Sequence, residues 1–235
     1  HSMGEFVFDF ALADVAEQIG VPYYPKLVGM SPATPSTGFR FLLDPDEPEE
    51  EIVDAMMEEI FRKARATGCM AVQFNYVEPS FRQRLSNAGF IEWRHQGFLW
   101  ENEGFDEFDS YLKAFRKNQR RNIRRERGSM QEQSLDLRVL RGEEIPASYF
   151  PTMAEYYHLT NDQFGPWAAR FLTSRFFDLL EERFRHRVAM VAAHPDGTPP
   201  EEQPIALAFL LVKGEKMLGR YWGTREYYDN LHFNV

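Results

Sequence analysis

The sequence predicts a mixed α/β (α+β) fold of mainly antiparallel sheets flanked by helices, in two consecutive parts. Three observations carry this. Strand-like and helix-like segments alternate up to Asn102-Glu103-Gly104. A long basic helix and two further helices then follow. The last third is a meander of three strand-like segments joined by Asp196-Gly197-Thr198-Pro199-Pro200 and Lys213-Gly214-Glu215, both rich in turn formers. With 43% hydrophobic and 15% aromatic residues among 235, there is ample material for packed cores.

In chain order, residues 5–11 read as a strand and 14–19 as a short helix. Residues 22–38, punctuated by Pro and Gly, read as loop. Residues 39–43 resume as a strand. The acidic stretch 44–51 leads into an amphipathic helix over 49–66, with Ile52, Met56, Ile60, Phe61 and Ala64 on its apolar face and Gly68 ending it. A strand over 70–77, a helix over 80–88 closed by Gly89, and a strand over 90–100 complete the first part. The second part reads as a helix over 106–131, a strand over 135–140, helices over 145–159 and 167–184, and strands over 187–193, 204–212 and 216–224.

Composition excludes several classes. No apolar run is long enough to span a bilayer, and no signal-peptide pattern opens the chain, so a cytoplasmic protein without a transmembrane segment is expected. His1-Ser2-Met3 reads as a tag remnant. A single cysteine, Cys69, rules out an internal disulfide or a thiolate cluster, and its setting suggests a buried thiol at a strand start. His95 and His158, beside Trp93 and Tyr156-Tyr157, read as structural.

Charge is concentrated. Residues 113–127 hold eight Lys or Arg against one acid, Glu126, so the remainder of this chain of net charge −9 sums to −16. Arg116, Arg120 and Arg124 form one i, i+4 ladder and Lys117, Arg121 and Arg125 its neighbour; Phe108, Tyr111, Leu112, Phe115 and Ile123 form the opposite, apolar side. Like charges at this spacing cost a few tenths of a kcal/mol per pair, so the helix gains from a nearby anion. A solvated basic face neutralised by the acidic remainder is the plainer alternative. Arg120, Arg124 and Arg127 are candidates for holding tRNA phosphates, or the carboxylates and pyrophosphate of a small anionic precursor. Aromatics are not interleaved through the helix, which argues against a general single-strand binder.

The order strand, two helices, antiparallel meander resembles the front half of the acyltransferase fold of the GNAT superfamily, and the segment before Gly104 resembles its back half. The resemblance becomes specific in Tyr23-Tyr24-Pro25-Lys26, Thr34-Pro35-Ser36-Thr37-Gly38, Trp100-Glu101-Asn102-Glu103-Gly104-Phe105, Phe108-Asp109-Ser110-Tyr111-Leu112, the helix from Arg120 through Arg127, Gly219-Arg220-Tyr221-Trp222-Gly223 and Leu231-His232-Phe233. With these stretches, spread along nearly all of its length, the chain resembles the FemAB-like family of peptidoglycan biosynthesis or recognition proteins. It departs from the family pattern at Gln73 and Leu99, where His is expected, and at Asn234, where Glu is. The resemblance implies residues 4–104 as the back half of a first GNAT-like unit. It implies 105–235 as the basic helix and front half of a second, and the unpunctuated end Leu231-His232-Phe233-Asn234-Val235 suits a piece of a longer tandem protein.

The implied chemistry is acyl or aminoacyl transfer to an amine of a peptide or cell-wall precursor. It needs a base, an oxyanion donor and an acid, and no metal. A glycine-flanked strand at 219–223 can bulge to offer a backbone N–H. Tyr221 is then a candidate acid, Arg220 an anchor for a carboxylate or phosphate, Trp222 a substrate contact, and His232 the general base. Simple alternation of Tyr221 and Trp222 across a half-buried strand is the competing reading. Tyr24 and Lys26, on a proline-stiffened loop, are candidate substrate-binding residues. No Gly-rich pyrophosphate loop for coenzyme A is evident, so the donor is left between acyl-CoA and aminoacyl-tRNA, with a recognition module or an RNA-associated protein as the rival functions.

Overall fold

The computed structural model describes residues 7–31, 36–165 and 171–235. The chain forms two compact units, His1–Gly97 and Phe98–Val235. Residues 1–3, 5 and 6, Pro32 through Pro35, and the expected helix start at Trp167 lie outside the described residues.

In the first unit, helix α1 (Phe10–Gln18) occupies part of what the sequence suggests as a strand over 5–11. Strand β1 (Lys26–Gly29) lies in the stretch expected to be all loop, and it pairs in parallel with β2 (Ala71–Phe74), Lys26 opposite Ala71 and Val28 opposite Gln73. The expected strand over 39–43 is reduced to one bridge, Phe39 with Val77, because Phe41 and Leu43 turn into the core instead. Helix α2 (Glu49–Ala66) matches its expected span, with three glutamates in its first turn and Lys63 and Arg65 in its last, both favourable to the helix dipole. Of the stripe anticipated, Ala64 is buried and Ile60 and Phe61 pack on the core, but Val53 and Met57 take the buried places expected of Ile52 and Met56, and Met56 is left outside. Helix α3 (Pro79–Asn87) starts with Pro in its first turn, where a missing N–H costs nothing, and adds Phe81 and Leu85 to the same core. The expected strand over 90–100 pairs with nothing among the described residues: Phe90 packs on Phe61 and Phe74, and the segment beyond it is exposed. Cys69 is half-buried rather than buried, 3.3 Å from Thr67 Oγ1.

The second unit divides the expected long basic helix into α4 (Phe108–Lys113) and α5 (Lys117–Glu132). No Gly or Pro marks the break. It is made by Arg116 adopting an extended conformation, with its N–H donating to Gln119 Oε1 at 3.2 Å and Arg120 Nη1 donating to the Phe115 carbonyl at 2.6 Å. These bonds satisfy backbone groups that the interruption frees.

Strands β3 (Leu135–Arg141), β4 (Val188–Pro195), β5 (Ala206–Lys213) and β6 (Lys216–Thr224) form one antiparallel sheet in chain order. Lys213 pairs with Lys216, so Gly214-Glu215 is a two-residue hairpin loop, with Gly214 at φ 58°. Helices α6 (Tyr149–Asp162) and α7 (Ser174–Leu179) bury Tyr149, Phe150, Met153, Tyr156, Tyr157 and Phe177. Tyr149 reaches His194 on this face, whereas Met130 of α5 and Leu231 pack with Ala193 and Ala206. Neighbouring residues of a strand point to opposite faces, so α6 and α7 cover one side of the sheet and α5 with the terminal turn the other. This mixed arrangement is consistent with a GNAT-like fold.

Candidate functional site

The strand that carries the glycine motif is irregular where the sequence suggests it. Gly219 pairs with Leu210 and Tyr221 with Phe209, which leaves Arg220 as an extra residue in a β-bulge. Gly223 is required for a different reason: a Cβ there would lie 2.6 Å from both the Cβ and the carbonyl oxygen of Tyr156, so α6 can approach β6 only at a glycine. Thr160 Oγ1 donates to the Trp222 carbonyl at 3.2 Å and fixes the same contact.

The four candidates of this corner separate. Tyr221 turns toward α6, its ring 4.7 Å from that of Tyr157, and its hydroxyl oxygen is buried. Arg220 places its guanidinium 5.2 Å from the Tyr221 ring. Trp222 points to the other face, where its ring lies 6.1 Å from that of His232. Its indole Nε1 is buried with no hydrogen-bond partner among the described residues. His232 is exposed, its ring tilted 39° to that of Phe233 with centres 3.8 Å apart. The structure therefore joins His232 with Trp222 and Arg220 with Tyr221, but it sets Tyr221 and His232 on opposite faces.

The turn bearing His232 is clasped to α5. Gln133 donates to the Asp229 carbonyl and accepts from the Asp229 N–H, both at 3.0 Å. Asn230, at φ 61°, donates to Ser129 Oγ, and Asn234 Nδ2 donates to the Glu126 and Asn230 carbonyls.

The basic run is shared between uses. Arg120 is engaged with the Phe115 carbonyl, Arg124 lies 3.4 Å from Asp109, and Arg127 stacks 4.0 Å over the Phe108 ring. All three residues singled out as anion ligands thus bind α4 and its junction. The neighbouring ladder, Lys117, Arg121 and Arg125, is exposed and has no ion-pair partner among the described residues.

In the first unit, Tyr24 and Lys26 belong to a buried polar network. Asp9 stands at the N-cap of α1 but spends its carboxylate elsewhere, on an ion pair with Lys26 whose two side chains are 0% and 1% exposed. Tyr23 and Tyr24 donate to the same carboxylate at 2.7 and 3.1 Å, and the Lys26 ammonium lies 5.3 and 5.5 Å from their ring centres. Lys26 also donates to Gln73 Oε1 at 3.0 Å, and Gln73 donates to Asn75 Oδ1 at 2.7 Å. Burial raises the Asp9 pKa, but the Lys26 and Tyr23 hydrogen bonds outweigh it and hold the carboxyl below its ordinary value. The same burial and the adjacent carboxylate push both tyrosine hydroxyls up. Asp9 and Asn75 escape sequence reasoning because both fall in stretches read as strands, while Tyr23 enters only within the stretch Tyr23-Tyr24-Pro25-Lys26 and Gln73 only as a departure from the family pattern. A lysine inside the strand Lys26–Gly29 is the signal that could have pointed to a buried acid.

Groups that could hold a metal are not found among the described residues, and no helix among them is long and apolar enough to cross a membrane. Among curated proteins none matches the chain. The model of the FemAB-like family, described as peptidoglycan biosynthesis/recognition, matches residues 1–235. With its whole length covered by that match, the chain belongs to the FemAB-like family.

Proposed function

We propose that the chain is an N-acyltransferase that moves an acyl or aminoacyl group to an amine of a peptide or cell-wall precursor. The observation that carries this reading is the bulge at Arg220, two residues before Trp222, whose ring faces the exposed His232, in a family of peptidoglycan biosynthesis or recognition. In the reaction, the amine nitrogen attacks the donor carbonyl carbon and His232 accepts the amine proton. A bulge N–H holds the oxyanion, the bond to the leaving oxygen or sulfur breaks, and the leaving group takes up a proton. Arg220 anchors an anionic part of a substrate, and Trp222 presents its ring beside that of His232. Tyr221 is retained as the candidate acid. Lys26 is enclosed by Asp9, so its proposed part is to hold Tyr24 in place for a substrate rather than to touch one. A cytoplasmic setting fits the proposed donors.

Transfer of label from aminoacyl-tRNA or acyl-CoA to a muropeptide amine tests the reading. His232→Ala is expected to lower the rate by about a hundredfold or more, and full activity in that variant removes His232 from the mechanism. Tyr221→Phe keeps the contact with Tyr157, so a large loss of rate in a normally folded protein assigns it as acid. The separation of Tyr221 from His232 favours a second reading, a module that binds peptidoglycan peptides without transfer. Peptide binding with no label transfer from either donor would select it.

A further inference from the structure

The partition of the basic run has a use that the transfer chemistry does not absorb. Arg120, Arg124 and Arg127 are consumed inside the unit, whereas Lys117, Arg121 and Arg125 stand one residue further round the helix, about 100° away. This second ladder repels itself, and with Arg116 and Lys117 it loads cations onto the positive end of a helix that has no acid in its first turn. The acids of residues 101–109 lie along α4 and its lead-in, the side that Arg124 answers through Asp109. The ladder stands on a convex helix, so it cannot enclose a small anion and instead suits an extended one.

In the same unit, Phe98, Leu99 and Trp100 are 92%, 78% and 60% exposed. Trp100 meets Tyr111 of α4 at 5.8 Å, and Tyr111 meets Phe115 at 4.9 Å, immediately before Arg116 and Lys117. An exposed apolar run and a row of cations in one unit match the interface of an anionic bilayer, which buries the former among headgroups and attracts the latter. A phosphodiester backbone would leave Phe98 and Leu99 in water. We propose that the Lys117–Arg121–Arg125 ladder and the Phe98-Leu99-Trp100 run together form a docking surface for an anionic lipid bilayer.

Vesicle flotation tests this, with equal parts phosphatidylglycerol and phosphatidylcholine against phosphatidylcholine alone, at low and physiological salt. The protein is expected to float only with the anionic vesicles and more weakly as salt rises. The variant Lys117→Gln/Arg121→Gln/Arg125→Gln is expected to bind on the order of a hundredfold more weakly, since each basic residue near such a surface contributes roughly fivefold. Leu99→Ser/Trp100→Ser should also bind more weakly. Arg62→Gln/Lys63→Gln/Arg65→Gln, which removes the same charge from α2, should bind as the unaltered protein does. Circular dichroism of each variant shows whether its helices are intact. Failure of the unaltered protein to float, equal flotation of the ladder variant, an equal loss in the α2 variant, or release from vesicles by an RNA oligonucleotide would each overturn the assignment.

Discussion

At the scale of single residues, the most consequential group is Asp9. A buried ion pair adds little net stability over an apolar replacement, but breaking it leaves a stranded charge, at a cost of about 3–5 kcal/mol. Asp9→Asn is therefore expected to destabilise the first unit by that amount in urea titrations, while Asp9→Leu combined with Lys26→Met restores most of the loss. The pH dependence has a definite sign. Because the folded Asp9 carboxyl lies below its ordinary 3.8, its contribution is complete above that pH and disappears as the pH falls through the folded value. His194 acts earlier. Burial first, then the positive charge of Arg138, hold its imidazole below 6.5, and its Nδ1 has no partner among the described residues to receive a new N–H. The unfolded chain takes up that proton below about pH 6.5 while the folded chain resists it, so stability falls as the pH drops from there. Urea midpoints measured between pH 7.5 and 5 should decline, and His194→Gln should flatten the decline. Gly223→Ala forces a methyl against the Tyr156 backbone and is expected to cost about 1–3 kcal/mol in the same assay.

At the scale of elements, arginines of one helix are not equivalent. Arg127→Gln loses the stack on Phe108 and should destabilise the protein by about 0.5–1 kcal/mol. Arg121→Gln relieves repulsion and should stabilise it by a few tenths; equal effects from the two, read from thermal melts, would contradict the division of the run described above. Helix α2 was legible in the sequence because acids, apolar period and Gly68 all agree, and β4 to β6 because alternation and turn residues agree. The gap between α4 and α5 was not, since it depends on Arg120 reaching back to Phe115, a contact that leaves no punctuation. Residues 90–100 have the composition of a strand, yet a strand forms only by pairing, and this segment pairs with no edge among the described residues. Of the candidate site, the bulge at Arg220 could be anticipated from its glycine, whereas the opposed directions of Tyr221 and Trp222 toward different helices required the sheet itself.

At the scale of the whole molecule, the two units differ in how they are held. The first rests on a two-stranded parallel pair and a small core around Val53, Met57, Phe81 and Leu85, an arrangement that is marginal by itself. The second has four strands covered on both faces. Amide exchange should accordingly be slowest in β4 and β5 and fastest, among strands, in β1 and β2; equal protection in both sheets would show that the units share one cooperative transition. The bonds from Gln133, Ser129 and Glu126 to residues 229–234 make α5 and the last turn a single mechanical piece. A pull on the charged helix is thereby geared to the position of the His232 imidazole, as a handle is to a latch. Gln133→Ala removes two of these bonds and should loosen the link, so that the histidine ring signal in NMR responds less to whatever α5 is made to grip.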